Sequence, residues 1–271
     1  MPVRQAGEIQ IWRRREPRKQ MAIWFGWLCG VALFMFCWEF ISERTEWMYV
    51  FDAPRIVADI GSRMFPPRWS YIDQLWIPIW DTVNIATLGT VFAIVMAVPV
   101  AFLAARNTTP SARFVRPIAL LIIVSSRSIN SLIWALLLVS IVGPGLFAGV
   151  IAISLRSIGF VAKLLYEAIE EIDDTQVEAI EATGANRAQV IAYGIVPQIM
   201  PAFAGITVFR WDINIRESTV LGLVGAGGIG LQLQSSLNTL AWSQVIVILL
   251  AILVSVVISE VVSAKVRHAI I

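Results

Sequence analysis

The sequence has little charge. Of its 271 residues only 15% are charged, whereas 58% are hydrophobic, and the mean hydropathy is +0.75. Soluble domains carry about 25% charged residues, so this chain has too little charge to cover a surface that faces water. These values exclude a soluble enzyme and predict a protein embedded in a lipid bilayer.

Residues that carry most enzyme chemistry are also scarce. His268 is the only histidine, which excludes histidine-based catalysis and most histidine metal sites. The two cysteines, Cys29 and Cys37, are about 12 Å apart if their apolar run is a helix, which is too far for a disulfide. None of the three lysines follows a glycine, so the chain has no P-loop with which to bind ATP.

Long apolar stretches dominate the sequence. A spanning helix needs about 20 mainly apolar residues to cross about 30 Å of hydrocarbon. Six stretches are long enough, namely residues 21–41, 83–105, 117–141, 146–165, 197–223 and 241–262. The third and the fifth contain charged residues. We therefore predict an all-α, multi-pass membrane protein with six transmembrane helices, of which residues 21–41 form the first.

The basic residues predict how the chain is oriented. Arginine and lysine are abundant in a tail over residues 1–20 and in the loop after the second span, so the positive-inside rule places both termini in the cytoplasm. Residues 42–82 are then extracytoplasmic, and Asp52 and Pro54 predict the start of an amphipathic helix in this segment. That helix would lie at the outer interface or form a packed cap. Residues 83–271 form the helical core.

Charged side chains within the predicted spans are the first sign of function. Four arginines and two acids fall there: Arg127, Arg156, Arg210, Arg216, Asp212 and Glu217. An arginine near the bilayer centre costs about 2.5–3.5 kcal/mol on insertion scales. These side chains must therefore face a protein interior or a watery cavity.

Two interpretations remain open for these charges. In the first they neutralise one another, because Asp212 and Arg216 are four residues apart on one helix face and Glu217 can hold a second arginine. In the second, the two positive charges left over attract an anion along a transport path. Asn130 and Asn214 each follow an arginine by about one turn. Their amides would donate to an oxyanion or hold the guanidinium groups.

A glycine-rich string at 225–230 matches the dinucleotide pattern G-x-G-x-x-G and contains four glycines: Gly225, Gly227, Gly228 and Gly230. No strand is predicted before it, and the apolar run 245–250 stands where a ribose-binding acid would be needed. We therefore predict a tight, closely packed bend between the fifth and sixth spans, and a candidate outer gate, instead of a cofactor site.

The acidic, polar stretch at 166–196 has the pattern of short cytoplasmic helices. Thr175 and Glu178 predict a capping box, Gly184 predicts a helix end, and Asn186 predicts the cap of a second helix. Two apolar residues give the first of these helices an apolar edge. An ordinary solvated loop, which is the alternative, would leave that edge exposed to water.

This stretch resembles the EAA loop of ABC importer permeases. The residues that carry the resemblance are Glu178, Ala179 and Gly184, with Pro197 thirteen residues after the glycine. In that family the loop forms coupling helices that dock in a groove of the cytoplasmic ATPase. The resemblance implies this coupling role here for Glu178, Ala179, Gly184 and the neighbouring Thr175. Gly194 stands where the family favours isoleucine.

Three further segments resemble the permeases of phosphonate-type ABC importers: residues 127–130 (Arg-Ser-Ile-Asn), 209–216 (Phe-Arg-Trp-Asp-Ile-Asn-Ile-Arg) and 221–230 (Leu-Gly-Leu-Val-Gly-Ala-Gly-Gly-Ile-Gly). The resemblance implies a type I ABC importer permease fold in the bacterial inner membrane. The implied substrates are phosphonates, phosphite, hypophosphite or phosphate. At Arg156 the family often has histidine, so a permanent cation here would alter the preference for anions.

The resemblance also implies partners. They are a second copy of the permease, two ATPase subunits that bind ATP and magnesium, an extracytoplasmic substrate-binding protein and the surrounding lipid. No cofactor in this chain, no metal site and no nucleic acid are expected.

Other functions remain open at this stage. An ABC permease for a different anionic solute, such as an amino acid, would suit the arginines equally well. An ungated anion channel would have no need of the acidic loop at 166–196. A membrane-bound enzyme would need a nucleophile beside a base within the spans, and the sequence offers neither histidine nor cysteine there.

Overall fold

The computed structural model describes residues 3–6, 9–12 and 17–270, and it divides into two compact units, residues 1–62 and 63–271. Part of the tail predicted over residues 1–20, including its arginines at 13–15, lies outside the described residues. The remainder of that tail contains two short strands, β1 (Val3–Ala6) and β2 (Ile9–Trp12), which pair as an antiparallel hairpin.

The first unit is otherwise helical. Helix α1 (Pro17–Arg44) is followed by α2 (Trp47–Met64), and no side chain described between residues 18 and 64 is buried. The helix predicted within residues 42–82 is present, but its predicted start at Asp52 is wrong, because the helix begins five residues earlier. Pro54 lies inside α2. The interfacial location of α2 stays a prediction.

The second unit contains nine α-helices in its described residues, together with a 3-10 helix at Trp69–Gln74 and a π-helix at Ile191–Ile195. The α-helices are α3 (Trp76–Ala104), α4 (Val115–Ser128), α5 (Ser131–Val142), α6 (Leu146–Glu170), α7 (Asp174–Glu181), α8 (Arg187–Val190), α9 (Val196–Gly222), α10 (Ile229–Asn238) and α11 (Trp242–Ile270).

Helices α3, α6 and α9 form the centre of this unit. Small residues line their contacts: Ala97, Ala101 and Ala104 on α3 and Ala162 on α6 are fully buried in one apolar cluster. Without a hydrophobic force between helices in lipid, small residues stabilise a bundle because they let backbones approach closely. Arg156 on α6 and the two arginines of α9, Arg210 and Arg216, thus lie on helices that pack against each other.

Five helices in the described part of the chain are long and apolar enough to cross a membrane, or six if α4 and α5 count as one broken span. The all-α prediction with up to six spans is confirmed, and the candidate span over 117–141 is broken into the two helices α4 and α5. The two helices meet at 86°. Asn130 causes the break, because its side chain accepts a hydrogen bond from the Leu132 amide and starts α5 as an N-cap.

Candidate functional site

Arg210 lies in the interior between α6 and α9, where only 2% of its side chain is exposed. Its Nε donates to Ser157 Oγ at 2.9 Å, and its Cζ lies 5.0 Å from the centre of the Phe160 ring. Its Nη2 lies 3.4 Å from Glu217 Oε2. These contacts engage Nε and Nη2 within the protein, and with 2% of the side chain exposed Arg210 is not open to a passing solute in this structure.

Glu217 is shared between two arginines. In addition to Arg210, its Oε1 pairs with Arg156 Nη1 at 3.2 Å. The Asp212–Arg216 pair predicted from the sequence is also present, and Ser259 Oγ donates to Asp212 at 2.8 Å. One positive charge remains on the group of Arg156, Arg210 and Glu217, because a single carboxylate serves two guanidinium groups. Pairing and a surplus of positive charge therefore occur together.

A cleft of about 380 Å³ opens beside this group. We call it the arginine cleft, and it is lined by Asn130, Ser131, Leu132, Arg156, Ile213, Arg216, Glu217, Val220 and Leu221. The side chain of Arg156 is 32% exposed and that of Arg216 is 48% exposed. The N-terminus of α5, with its positive dipole end, also lies at this cleft. Such a set of groups suits an anion.

The predicted path residues therefore divide into three groups. Arg156, Arg216 and Asn130 line the arginine cleft, and Asn130 Oδ1 accepts a bond of 3.2 Å from Arg156 Nη1. Arg210 and Asn214 are buried. The amide of Asn214 is used internally, because its Nδ2 donates to Thr90 Oγ1 at 2.8 Å and its Oδ1 accepts from Ser157.

Arg127 is the third group. It lies in the last turn of α4, is exposed, and is not among the residues that line the arginine cleft. Its place in an anion path stays a prediction.

Ser131 and Ser157 were not indicated by the sequence, because single serines in apolar helices occur too often to carry a signal. No group of three or more side chains that could hold a metal ion occurs among the described residues.

The glycine-rich string forms a close bend after α9. Gly225, Gly227 and Gly228 have φ values of 90°, 83° and 73°, which favour glycine because side chains with a Cβ are strained there. A Cβ added to Gly222 would lie 2.6 Å from the Cα of Gly230, so α9 and α10 approach through bare backbone. The string is thus a tight bend between α9 and α10, and its function as a gate stays a prediction.

The first short helix of the segment at 166–196 starts with a different cap from the one expected. Asp173 is the N-cap of α7, and its carboxylate accepts a bond of 3.0 Å from the Thr175 amide. The predicted capping box of Thr175 and Glu178 is therefore wrong, because Asp173 occupies the cap two residues earlier. Gly184 follows α7 with a φ of 82°, and Asn186 caps α8 as expected, in a capping box with Gln189.

One face of α7 is attached to the rest of the protein and the other is free of it. Val177 and Ile180 are half-buried, and a Cβ added to Gly194 of the π-helix would lie 3.4 Å from Ile180 Cδ1. Glycine at 194 thus leaves the space in which α7 packs. Glu178 and Ala179 are exposed. The segment therefore presents a short helix that packs against the π-helix, and not an ordinary solvated loop.

Arg187 connects this segment to the loop between α3 and α4. Its Nη2 donates to the carbonyl oxygens of Thr108 and Thr109 at 2.6 and 3.0 Å. The same loop is held from α6, because Glu170 Oε1 accepts from the Arg106 amide at 2.9 Å. A displacement of the α7–α8 segment would therefore be transmitted through Arg187 to the α3–α4 loop, which joins the ends of α3 and α4.

Comparisons with known proteins agree with this architecture. The sequence matches the family described as "Binding-protein-dependent transport system inner membrane component" over residues 97–269. It is 38% identical to the phosphite transport system permease protein PtxC of Stutzerimonas stutzeri, over 92% of this chain and 87% of that protein. It is also 38% identical to the phosphate-import permease protein PhnE of Mycolicibacterium smegmatis, over 80% of this chain and 41% of that protein.

The fold is similar to that of solved ABC transporters. A chain of the MetNI methionine ABC transporter in inward-facing conformations matches with a TM-score of 0.62 at 21% identity, over 73% of this chain and 96% of that chain. The type I importer permease fold and the inner-membrane location expected from the sequence are confirmed. The chain therefore belongs to the family of inner-membrane components of binding-protein-dependent transport systems, and it is a transport subunit and not an enzyme.

Proposed function

We propose that this permease forms the translocation path of an ATP-driven importer for phosphorus oxyanions, namely phosphite, phosphonates or phosphate. The observation that carries the proposal is the arginine cleft, in which Arg216 is exposed, Arg156 is partly exposed, and the single carboxylate of Glu217 faces two arginines and leaves one positive charge over. A surplus of positive charge in a low-dielectric path lowers the energy of an anion. The relatives named for phosphite and phosphate transport support this class of substrate.

The family implies a cytoplasmic ATPase and a substrate-binding protein as partners. In the proposed mechanism two copies of the chain form the path, and the binding protein delivers the anion from outside to residues 42–82 and the glycine-rich bend. The ATPase would bind α7 at Glu178, and its closure on ATP would move this helix. Arg187 would pass the motion to the α3–α4 loop, and the path would open inward.

Uptake into proteoliposomes tests the substrate. The permease is reconstituted with its ATPase and binding protein, and radiolabelled phosphite, methylphosphonate and methionine are compared with and without ATP. We expect accumulation of phosphite or methylphosphonate that depends on ATP. Accumulation of methionine alone would contradict the proposal and favour the amino-acid alternative, since some relatives at 27–28% identity are named for D-methionine transport. Equilibration without ATP would favour a channel.

Arg187→Gln is expected to weaken the connection between ATP hydrolysis and transport. Hydrogen bonds that involve a charged group contribute about 1.5–3 kcal/mol, and about 1.4 kcal/mol corresponds to a factor of ten, so we expect uptake per ATP hydrolysed to fall at least about tenfold. Glutamine is too short to reach the two carbonyl oxygens in the same way. Uptake and phosphate release are measured in the same proteoliposomes.

Arg113→Gln is the matched control, because Arg113 is an exposed arginine in the same α3–α4 loop. It removes the same charge without removing the two bonds to Thr108 and Thr109. Equal ratios of uptake to hydrolysis in both variants would contradict a connecting role for Arg187.

A further inference from the structure

The guanidinium group of Arg156 is only partly used. Its hydrogen bonds to Asn130 Oδ1 and Ser131 Oγ and its ion pair with Glu217 all involve Nη1, at 3.2, 3.4 and 3.2 Å. Among the described residues, Nε and Nη2 of Arg156 have no partner. Arg216 likewise pairs with Asp212 through Nη2, and within the same residues its Nε and Nη1 have none. Two guanidinium groups at one cleft thus keep unused donors.

The charge on the neighbouring acid suits an exchange of partners. Glu217 holds the partly exposed Arg156 and the buried Arg210 at the same time. When an anion pairs with Arg156, Glu217 still neutralises Arg210, which is the arginine that has no access to water. Arg210 is therefore paired both with and without the anion. An unpaired buried charge, which is the most costly arrangement, does not arise in either state.

From these two observations we infer that the arginine cleft is a binding station for one small oxyanion, which replaces Glu217 as the partner of Arg156. The inference rests on the proposed function and deepens it. The ligand class is a tetrahedral oxyanion with one or two negative charges, held by Nε and Nη2 of Arg156 in bidentate bonds and by a single unused donor of Arg216. A volume of about 380 Å³ accommodates one such anion with some of its water.

Glu217 then has a defined function as a competing counter-ion. When the anion leaves, the carboxylate takes Arg156 back, so binding stays weak enough for release. Arg210, Asn214 and Ser157 do not touch the anion, and their contacts with one another position Glu217 from behind. This assigns different functions to arginines that look equivalent in the sequence.

Thiol modification in the cleft tests the inference. Cys29 and Cys37, both exposed on α1, are replaced by alanine, and Val220→Cys introduces a thiol at an exposed position of the cleft. The permease–ATPase complex is treated with an anionic or a cationic methanethiosulfonate reagent of similar size. We expect Arg156→Gln and Arg216→Gln each to lower the ratio of anionic to cationic reaction rates about threefold to tenfold. Arg113→Gln, outside the cleft, should leave the ratio unchanged.

Phosphite is then added as a competitor. We expect it to slow modification of the introduced thiol in the parent protein, and to have little effect in the Arg156→Gln variant. An unchanged ratio of rates in both cleft variants, or equal protection by phosphite with and without Arg156, would overturn the inference.

The exchange of Glu217 for an anion as the partner of Arg156 is tested separately, with a double variant that is expected to keep the fold. Arg210→Met combined with Glu217→Gln removes the buried cation together with its acid, so no buried charge is left alone. With the competitor gone, phosphite should protect the introduced thiol at a several-fold lower concentration than in the parent. The same concentration in both proteins would remove Glu217 from the mechanism.

These results are separable from the uptake experiment. If the selectivity for the anionic reagent depends on Arg156 and Arg216 but no phosphite accumulates with ATP, the proposed function fails and an anion station remains. If phosphite accumulates but the selectivity does not depend on these arginines, the proposed function stands and the station is overturned.

Discussion

Glu217→Ala is expected to destabilise the folded permease by about 3–5 kcal/mol, because it leaves a buried charge without a partner. Arg210 has only 2% of its side chain exposed, and Glu217 is the only acid that pairs with it within the described residues. Arg156, the other partner of Glu217, reaches the open cleft and can be hydrated. The cost therefore arises from Arg210.

A second substitution in the same chain separates this cause from a simple loss of packing. Arg210→Met replaces the buried cation by an apolar side chain of similar length, and it should recover most of the stability that Glu217→Ala removes. Replacement of a whole buried ion pair by apolar residues is often neutral or stabilising. Stability is measured as the temperature at which half of the detergent-solubilised permease–ATPase complex loses its monodisperse elution peak.

Glu260→Ala provides the control, because Glu260 is an exposed acid on α11. Substitutions of exposed residues away from special features change stability by about 0.5 kcal/mol or less. A double variant as unstable as Glu217→Ala alone would show that the side chain of Glu217 stabilises the fold by something other than neutralising Arg210.

The spanning helices could be predicted because their signal is local. A run of about 20 apolar residues is sufficient evidence for a helix in lipid, where every backbone group must bond within the segment. The break between α4 and α5 also had a local signal, although the apolar composition of residues 117–141 suggests a single helix. Asn130 is a preferred N-cap residue, and an N-cap inside an apolar run indicates that a new helix starts there.

The exact helix starts were predicted less well, since neighbouring residues compete for the cap. Asp173 and Thr175 are both good N-cap residues, and local sequence does not decide between them. Here Gln198 favours the first, because its side chain accepts a hydrogen bond from the Asp173 amide at 3.0 Å. That contact joins residues on two helical segments and has no counterpart in the sequence pattern.

Ion pairs within one helix could be predicted from the sequence, whereas ion pairs between two helices could not. Asp212 and Arg216 are four residues apart on one helix, so their pairing follows from helical geometry alone. The bonds from Arg156 to Glu217 and from Arg210 to Ser157 join α6 to α9, so they depend on how two helices pack. The burial of Arg210 could not be predicted from the sequence for this reason.

Glu178→Lys is expected to reduce ATP-driven uptake more than tenfold, which corresponds to a loss of at least about 1.4 kcal/mol in the docking of α7. Glu178 lies on the exposed side of α7, while Val177 and Ile180 hold the opposite side against the π-helix. Reversal of the charge would therefore leave the seating of α7 intact and alter only the surface that the proposed mechanism assigns to the ATPase. Uptake, ATP hydrolysis and retention of the ATPase on the permease are measured on the same preparations.

Glu171→Lys makes the same change of charge at an exposed position three residues before α7 begins. It should keep more than half of the uptake, because Glu171 lies outside the helix that is proposed to dock. Equal losses in both variants would indicate that the net charge of the surface around α7 matters and not the position of Glu178. Normal uptake in Glu178→Lys would remove α7 from the coupling mechanism, and the bonds of Arg187 to the α3–α4 loop would then have to transmit a force applied elsewhere.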